Sequence, residues 1–186
     1  MRKAVLDRPG EEVLTYEDYL RLEDDKRYEL INGRLEEMPA PTTEHQIISK
    51  RLFLLIEKFV SEGNLGLALY APVDVVLSKT TVVQPDILFV SGGRKNIVKE
   101  RIYGPPDLVV EIVSSTSYVK DRYEKFKLYE KYGVKEYWIV LPREKVIEVW
   151  CLRDGKYVLH SFAVEKGEVE SCVLKGFKLK VEEVIK

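Results

Sequence analysis

The chain has 186 residues, enough for one domain with a sizeable core that needs no disulfide or metal to fold. Its 30 basic and 31 acidic residues leave a formal charge of −1, which excludes a protein held on nucleic acid by global charge alone. No apolar run approaches the roughly 18 residues of a membrane span, and no apolar stretch follows the basic Met1-Arg2-Lys3, so a soluble cytoplasmic protein without a membrane partner is expected.

Thr15-Tyr16-Glu17-Asp18 reads as the start of a short helix, capped by Thr15, with early carboxylates facing the helix dipole. Asn32-Gly33, between Tyr28-Glu29-Leu30-Ile31 and Arg34-Leu35, predicts a hairpin, because both turn residues must take positive φ. Pro39 and Pro41 end it. Thr42 or Thr43 caps the next helix, with Gln46 at the capping-box distance from Thr43. Ile48, Leu52, Leu55, Ile56, Phe59 and Val60 give that helix one apolar face, and Gly63 stops it.

Nearly continuous apolar runs at 67–77, 82–90 and 108–113 predict strands covered on both faces. A polar connection fills 91–106. A helix is expected from about Ser117 to Tyr132, ended by Gly133, with a fourth strand at Glu136–Leu141. Strand, helix, strand in this order predicts a right-handed crossover between parallel strands. The tail, 146–186, reads as further strands with turns at Asp154-Gly155 and Lys175-Gly176. Cys151 and Cys172 lack metal-ligand spacing and read as small core or surface residues in a reducing cytosol.

Charged residues are rare inside buried strands. Asp86 sits at the centre of the 82–90 run and Glu111 within Leu108-Val109-Val110-Glu111-Ile112-Val113. If those strands are neighbours, both carboxylates meet on one face. Such a pair must share a proton, find a cation or bind a metal, and hard oxygen ligands suit magnesium or manganese. An ion there would activate water and neutralise charge on a phosphoryl group. The position two after Glu111 is Val113, which supplies no cation, but Asp121 and Lys125 lie one turn apart on the following helix, and Lys125 could reach back.

The structural alternatives are concrete. Asp86 and Glu111 could form an ion pair with a helix lysine, and Lys125 could be an exposed i,i+4 partner of Asp121. His45 reads as a surface or capping residue, with support of the site as the alternative. Glu29 faces Glu36 across the turn, a pairing of like charges that solvation at the hairpin edge would relieve; the alternative is a third acid of the site, and Asp74 has the same ambiguity. Ser114-Ser115-Thr116-Ser117 lacks a nucleophile-elbow pattern and reads as a helix cap; Gly92-Gly93-Arg94-Lys95 lacks P-loop spacing. From Arg94 to Lys135 there are ten basic against six acidic residues, a candidate basic rim for a phosphodiester substrate.

Three stretches resemble a known family. They are Tyr28-Glu29-Leu30-Ile31-Asn32-Gly33 with Met38-Pro39; Gln84-Pro85-Asp86; and Pro106-Asp107-Leu108-Val109-Val110-Glu111-Ile112-Val113-Ser114, continuing through Asp121-Arg122-Tyr123-Glu124-Lys125 and Tyr129 to Gly133-Val134-Lys135-Glu136-Tyr137-Trp138-Ile139-Val140. Together they resemble the Uma-type putative restriction endonuclease family, within the PD-(D/E)XK nuclease superfamily, over about residues 14 to 184. The resemblance implies an α/β (α+β) fold with a restriction-endonuclease-like core at about 43–141. It implies a mixed central sheet flanked by helices, an N-terminal hairpin and extra C-terminal strands, all in one domain spanning 1–186. It also implies a magnesium- or manganese-dependent site in which Asp86 and Glu111 hold the ion and Lys125 is a displaced catalytic lysine. Val113 departs from the superfamily pattern, and Leu141 stands where the family usually carries an aspartate.

The expected function is therefore a metal-dependent endodeoxyribonuclease. A non-catalytic nucleic-acid-binding or assembly module and a hydrolase of small phosphorylated metabolites are the alternatives. A homodimer is expected, with Tyr157, Phe162 and Phe177 of the tail available for an apolar contact.

Overall fold

A computed structural model describes residues 13–114 and 117–186. The expectations at Met1-Arg2-Lys3 and at Ser115 and Thr116 lie outside the described residues.

A short helix, α1 (Tyr16–Tyr19), begins at Thr15, whose hydroxyl accepts from the Asp18 amide while the Asp18 carboxylate accepts from the Thr15 amide. This reciprocal box satisfies two donors that a helix start leaves free. The hairpin β1 (Tyr28–Ile31) and β2 (Arg34–Glu37) pairs Glu29 with Glu36, and its turn residues Asn32 and Gly33 take φ of 50° and 82°. Helix α2 (Thr43–Glu62) is capped by Thr42, whose hydroxyl accepts from the His45 amide; Thr43 is already helical, so the Thr43–Gln46 box does not form.

The run 67–77 divides into β3 (Gly66–Tyr70) and β4 (Val75–Ser78), separated by a cis Ala71–Pro72 peptide. The run 82–90 likewise divides, into β5 (Thr81–Val83) and β6 (Ile87–Ser91). Proline has no amide hydrogen for a sheet ladder, so Pro85 cannot continue a central strand, and the chain passes there from one sheet to another. Asp86 therefore precedes a strand instead of occupying the centre of one. A 3₁₀ segment (Gly92–Ile97) and the short β7 (Ile102–Tyr103) lead to β8 (Leu108–Ile112). Residues 120–125 form a π-helical turn that continues as α3 (Phe126–Tyr132), ended by Gly133 at φ 81°. Strand β9 (Glu136–Leu141) follows, then β10 (Val146–Arg153), β11 (Lys156–Val164), β12 (Glu168–Glu170), β13 (Lys178–Lys180) and α4 (Val181–Val184).

The central sheet is mixed, in the order β11-β10-β9-β8-β6-β3; β8 and β9 are the parallel pair that the crossover predicted, and β6 runs antiparallel to β8. A second sheet has the order β2-β1-β5-β4-β7, and β12 pairs with β13. Alternation along the central strands builds two cores. On one face Ile87, Leu108, Val110, Ile112 and Val140 pack under α2 and the C-terminal residues Leu174, Phe177 and Val184. On the other, Leu88, Val109, Val113 and Ile139 pack under Leu128 and Tyr129 of α3 and under Ile31, Val75 and Val83 of the second sheet.

Two expectations for the tail are overturned. Cys151 and Cys172 are joined in a disulfide across a sequence separation of 21, with Cα atoms 6.5 Å apart. Beside it the buried Glu136 carboxylate accepts from the Ser171 hydroxyl, the Cys172 and Val173 amides and the Trp138 indole, which fixes the turn after β12 onto β9. Tyr157 and Phe177 are buried, the former donating to the Val134 carbonyl, so neither is free for a partner; Phe162 is 59% exposed.

Candidate active site

The site is built where β6 and β8 begin to separate. Leu88 pairs with Val109 and Ile87 with Val110, and Asp86, the residue before β6, accepts from the amide of Ile112, the residue after Glu111. Leu88 and Val109 lie on the α3 face, and two-residue alternation puts Asp86 and Glu111 on that same face. Asp86 Oδ2 accepts from the Ile112 amide at 2.7 Å and lies 3.1 Å from His45 Nε2, on the first turn of α2. Glu111 Oε1 accepts from Lys125 Nζ at 2.9 Å and from the Tyr129 hydroxyl at 2.7 Å.

Lys125 is 2% exposed and lies 2.7 Å from Glu29 Oε1 and 3.8 Å from Asp121 Oδ1. It is thus neither a solvated helix residue nor a partner of Asp121 alone. Val113, at the superfamily's lysine position, is packed in the apolar core. The ammonium approaches Glu111 from the π-helical turn, which faces both Asp121 and Lys125 inward.

Glu29 is the acid for which the sequence favoured the wrong environment. It is fully buried; its Oε1 also accepts from the Gln84 amide at 2.9 Å, and among the described residues its Oε2 receives no hydrogen bond. The like-charge pairing with Glu36 is relieved by Lys120, whose Nζ lies 2.7 Å from Glu36 and 3.6 Å from Glu29, and not by solvent. The signal was present in the sequence: an unfavourable cross-strand pair next to an Asn-Gly turn calls for a cation, and one reaches both acids from the helix. His45 likewise serves the site through Asp86, its backbone amide alone making the cap contact. Asp74 lies apart, held by Arg101 at 3.0 Å, Tyr19 at 2.9 Å and Gln84 at 2.9 Å.

Three carboxylates (Glu29, Glu111 and Asp121) thus surround one buried ammonium, and Asp86 lies close enough to act on Glu111. Burial pushes the Glu111 carboxyl well above its usual range; Lys125 opposes this, and Asp121, Asp86 and Glu29 reinforce it. Burial alone would lower Lys125, but the charges of Glu111, Glu29 and Asp121 outweigh it and hold the ammonium well above the ordinary lysine value. Asp121 is raised by burial to about 6, despite Lys125. Burial would lower His45 as well, but the bond to Asp86 and the charges of Asp86 and Asp121 raise it overall.

The donor set suits a hard divalent cation. Among the described residues Asp86 Oδ1 and Glu111 Oε2 receive no hydrogen bond, so each carboxylate has one oxygen free. The excess of buried negative charge is what a doubly charged ion would offset. Glu136, Cys151 and Cys172 also have ligand atoms within 4.8 Å of one another, but disulfide sulfurs are not thiolate ligands.

The basic rim is less open than composition suggests. Arg94 and Lys135 both pair with Asp107, Arg101 with Asp74, Arg122 with Glu148 and Lys120 with Glu36. Lys95, Lys99, Lys127 and Lys131 make no ion pair among the described residues.

A family model described as "Putative restriction endonuclease" (Uma2) matches residues 16–182, the span that holds both strands of the site, its helix and the hairpin. The chain belongs to this family. Among solved structures it is similar to a crystal structure described as a putative nuclease belonging to DUF820 from Anabaena variabilis. That match has a TM-score of 0.75 and 18% identity over 92% of this chain and 97% of the other, and it shows a shared fold. No curated protein matches the sequence. No described helix is long and apolar enough to cross a membrane.

Proposed function

We propose that this member of the Uma2 family is a metal-dependent endonuclease that hydrolyses phosphodiester bonds in DNA. The observation that carries this reading is the convergence of Asp86, from just before β6, with Glu111 of β8 and Lys125 of the π-helical turn. Asp86 and Glu111 would hold magnesium or manganese through Asp86 Oδ1 and Glu111 Oε2. That ion would supply a polarised water and neutralise phosphoryl charge.

The chain's own residues do the rest. The Ile112 amide and His45 fix the Asp86 carboxylate, and the Tyr129 hydroxyl fixes Glu111. As the water oxygen attaches to phosphorus and the opposite P–O bond breaks in one step, the leaving oxygen taking up a proton from solvent, Lys125 offsets the negative charge on the non-bridging oxygens, in a buried setting where such a charge acts strongly. Glu29 holds Lys125 protonated and aimed. Scissile phosphate enters from the side of Asp86 and His45, the least buried members of the group, with side chains 16% and 15% exposed.

The unit proposed for this activity is one domain spanning 1–186, working in the cytoplasm where its DNA substrate lies. The proposed assembly is a homodimer through β11, an edge strand of the central sheet whose Val158, Phe162 and Val164 are exposed.

Single-turnover cleavage of labelled DNA with manganese tests the reading. Asp86→Ala and Glu111→Ala are expected to abolish cleavage with the fold intact. Lys125→Ala should lower the rate about 10²–10³-fold, and Lys125→Arg should not restore it, since a planar guanidinium does not fit an ammonium's place. Equal rates for wild type and Lys125→Ala would remove Lys125 from the mechanism. A wild type that binds metal and DNA but cuts no DNA would favour the non-catalytic module, the reading consistent with a lysine fully tied to buried acids.

A further inference from the structure

The helix that carries Lys125 inward presents a different surface outward. Tyr118 and Tyr123 are 41% and 58% exposed, unlike Tyr129 and Tyr137 of the same region, which are fully buried. They flank the inward-facing Asp121 in sequence and stand five positions apart. Residues at that spacing diverge in an α-helix, but the π-helical turn of residues 120–125 closes by i→i+5 bonds and brings them toward one side. Arg122 stands beside both: its guanidinium is 6.0 Å from the centre of the Tyr118 ring, and its charge reaches both phenol groups. Glu148 holds that guanidinium at 2.9 Å and is itself bound by the Trp150 indole, so the cation beside the rings is fixed in place.

Further along the same helix the exposed surface turns positive. Lys127 and Lys131 follow Tyr123 at steps of four, which sets the three on one stripe. The turn of the hairpin faces that stripe with Asn32 and Arg34, and between them lies an open groove of about 340 Å³. Its charged residues are Arg34, Lys127, Lys131 and one acid, Glu124, which sits 3.9 Å from Arg34. Two cations are therefore left over, and among the described residues neither lysine makes an ion pair.

Exposed rings followed by unpaired cations suit a chain of bases and phosphates. In a duplex each base is covered on both faces by its neighbours, whereas an unpaired base can stack on a protein ring, a contact worth about five- to 150-fold in affinity. Resting on the endonuclease reading, we infer that this face is a track for single-stranded DNA, in which Tyr118 and Tyr123 stack unpaired bases and Arg34, Lys127 and Lys131 hold backbone phosphates. Tyr123 is two residues from Lys125, so a strand seated on the track passes within one helical turn of the site. The substrate class is then unpaired DNA and not duplex.

The test is fluorescence anisotropy of the full chain in EDTA, where binding is read without cleavage. The probe is a labelled DNA strand of about 12 nucleotides, offered single, as its duplex and as RNA of the same sequence. The single DNA strand should bind about tenfold or more tighter than the duplex. Tyr118→Ala and Tyr123→Ala should each weaken the strand about fivefold or more and leave the duplex unchanged, while Tyr123→Phe stays near wild type, because the ring and not the hydroxyl stacks. Lys127→Gln with Lys131→Gln should lower the slope of log affinity against log salt by about 1.4, the value for two phosphates of a single strand. All these side chains are exposed, and an unchanged Tm shows that each variant folds. Duplex binding as tight as the single strand, tyrosine variants that bind the strand as wild type does, or RNA bound more tightly than DNA overturns the inference. Should wild type then cut duplex DNA with manganese, the endonuclease reading stands without the track. If the strand binds through the tyrosines and no DNA is cut, the track stands as a binding surface and the endonuclease reading falls.

Discussion

Asp121 is the acid whose removal should strengthen the metal-free protein. Burial raises its carboxyl from 3.8 to about 6, with Glu29 and Asp86 adding to the effect and Lys125 opposing it. That rise already nets the attraction of Lys125 against the burial and the repulsion. A difference of this size between folded and unfolded states costs the folded protein roughly 3 kcal/mol once the group is ionised in both. Below the unfolded value both states hold the proton and the cost is absent. Between about 4 and 6 the folded state keeps a proton that the unfolded state has lost, so stability falls as pH rises through that window. Above it the cost is complete. Asp121→Asn keeps the shape and cannot ionise. In EDTA at pH 7.5 it should therefore be more stable than wild type by up to roughly 3 kcal/mol, or about 6–12 °C in Tm for a chain of this size. The gap should close near pH 4. Urea unfolding followed by the fluorescence of Trp138 and Trp150 measures it. Equal stability at pH 7.5, or a gap of the same size at both pH values, would refute the account of a crowded acid cluster.

Glu29→Gln should lower cleavage by up to about 10²-fold while leaving manganese affinity near wild type, because it loosens the aim of Lys125 without touching the proposed ligands; kinetics and calorimetry on one preparation check both. Reducing the disulfide, or Cys151→Ser with Cys172→Ser, should cost about 3 kcal/mol, the loop-closure value for a separation of 21, and denaturation with and without reductant reads it directly. Phe162→Lys should convert a dimer to a monomer with little change in Tm, since the side chain is exposed; a wild-type monomer mass by light scattering at micromolar concentration removes the dimer.

Locally encoded features were legible from the sequence. The Asn32-Gly33 turn follows from the φ values those residues tolerate, and α2 from the spacing of Ile48, Leu52 and Ile56. Strands β8 and β9, with the helix between them, are self-contained in one stretch of chain, so the parallel pair and the position of Glu111 were predictable. The carboxylates stood out because charge inside an apolar strand must have a partner. What the tertiary structure decided depends on contacts between residues far apart in the chain. Apolar runs at 67–77 and 82–90 do not say that each feeds two different sheets, although Pro85 marks one break. Glu29 leaves solvent because β1 packs beside the π-helical turn, bringing Lys125 from 96 positions further along the sequence. His45 meets Asp86 across a separation of 41 residues, and Cys151 meets Cys172 beside a turn that Glu136 holds from β9. Tyr157 and Phe177 look as available as Phe162 in the sequence; only the packing of the two cores buries the first two and leaves the third outside. Hydrophobicity indicates that a residue tends to be covered, while the element that covers it is fixed by the global chain path.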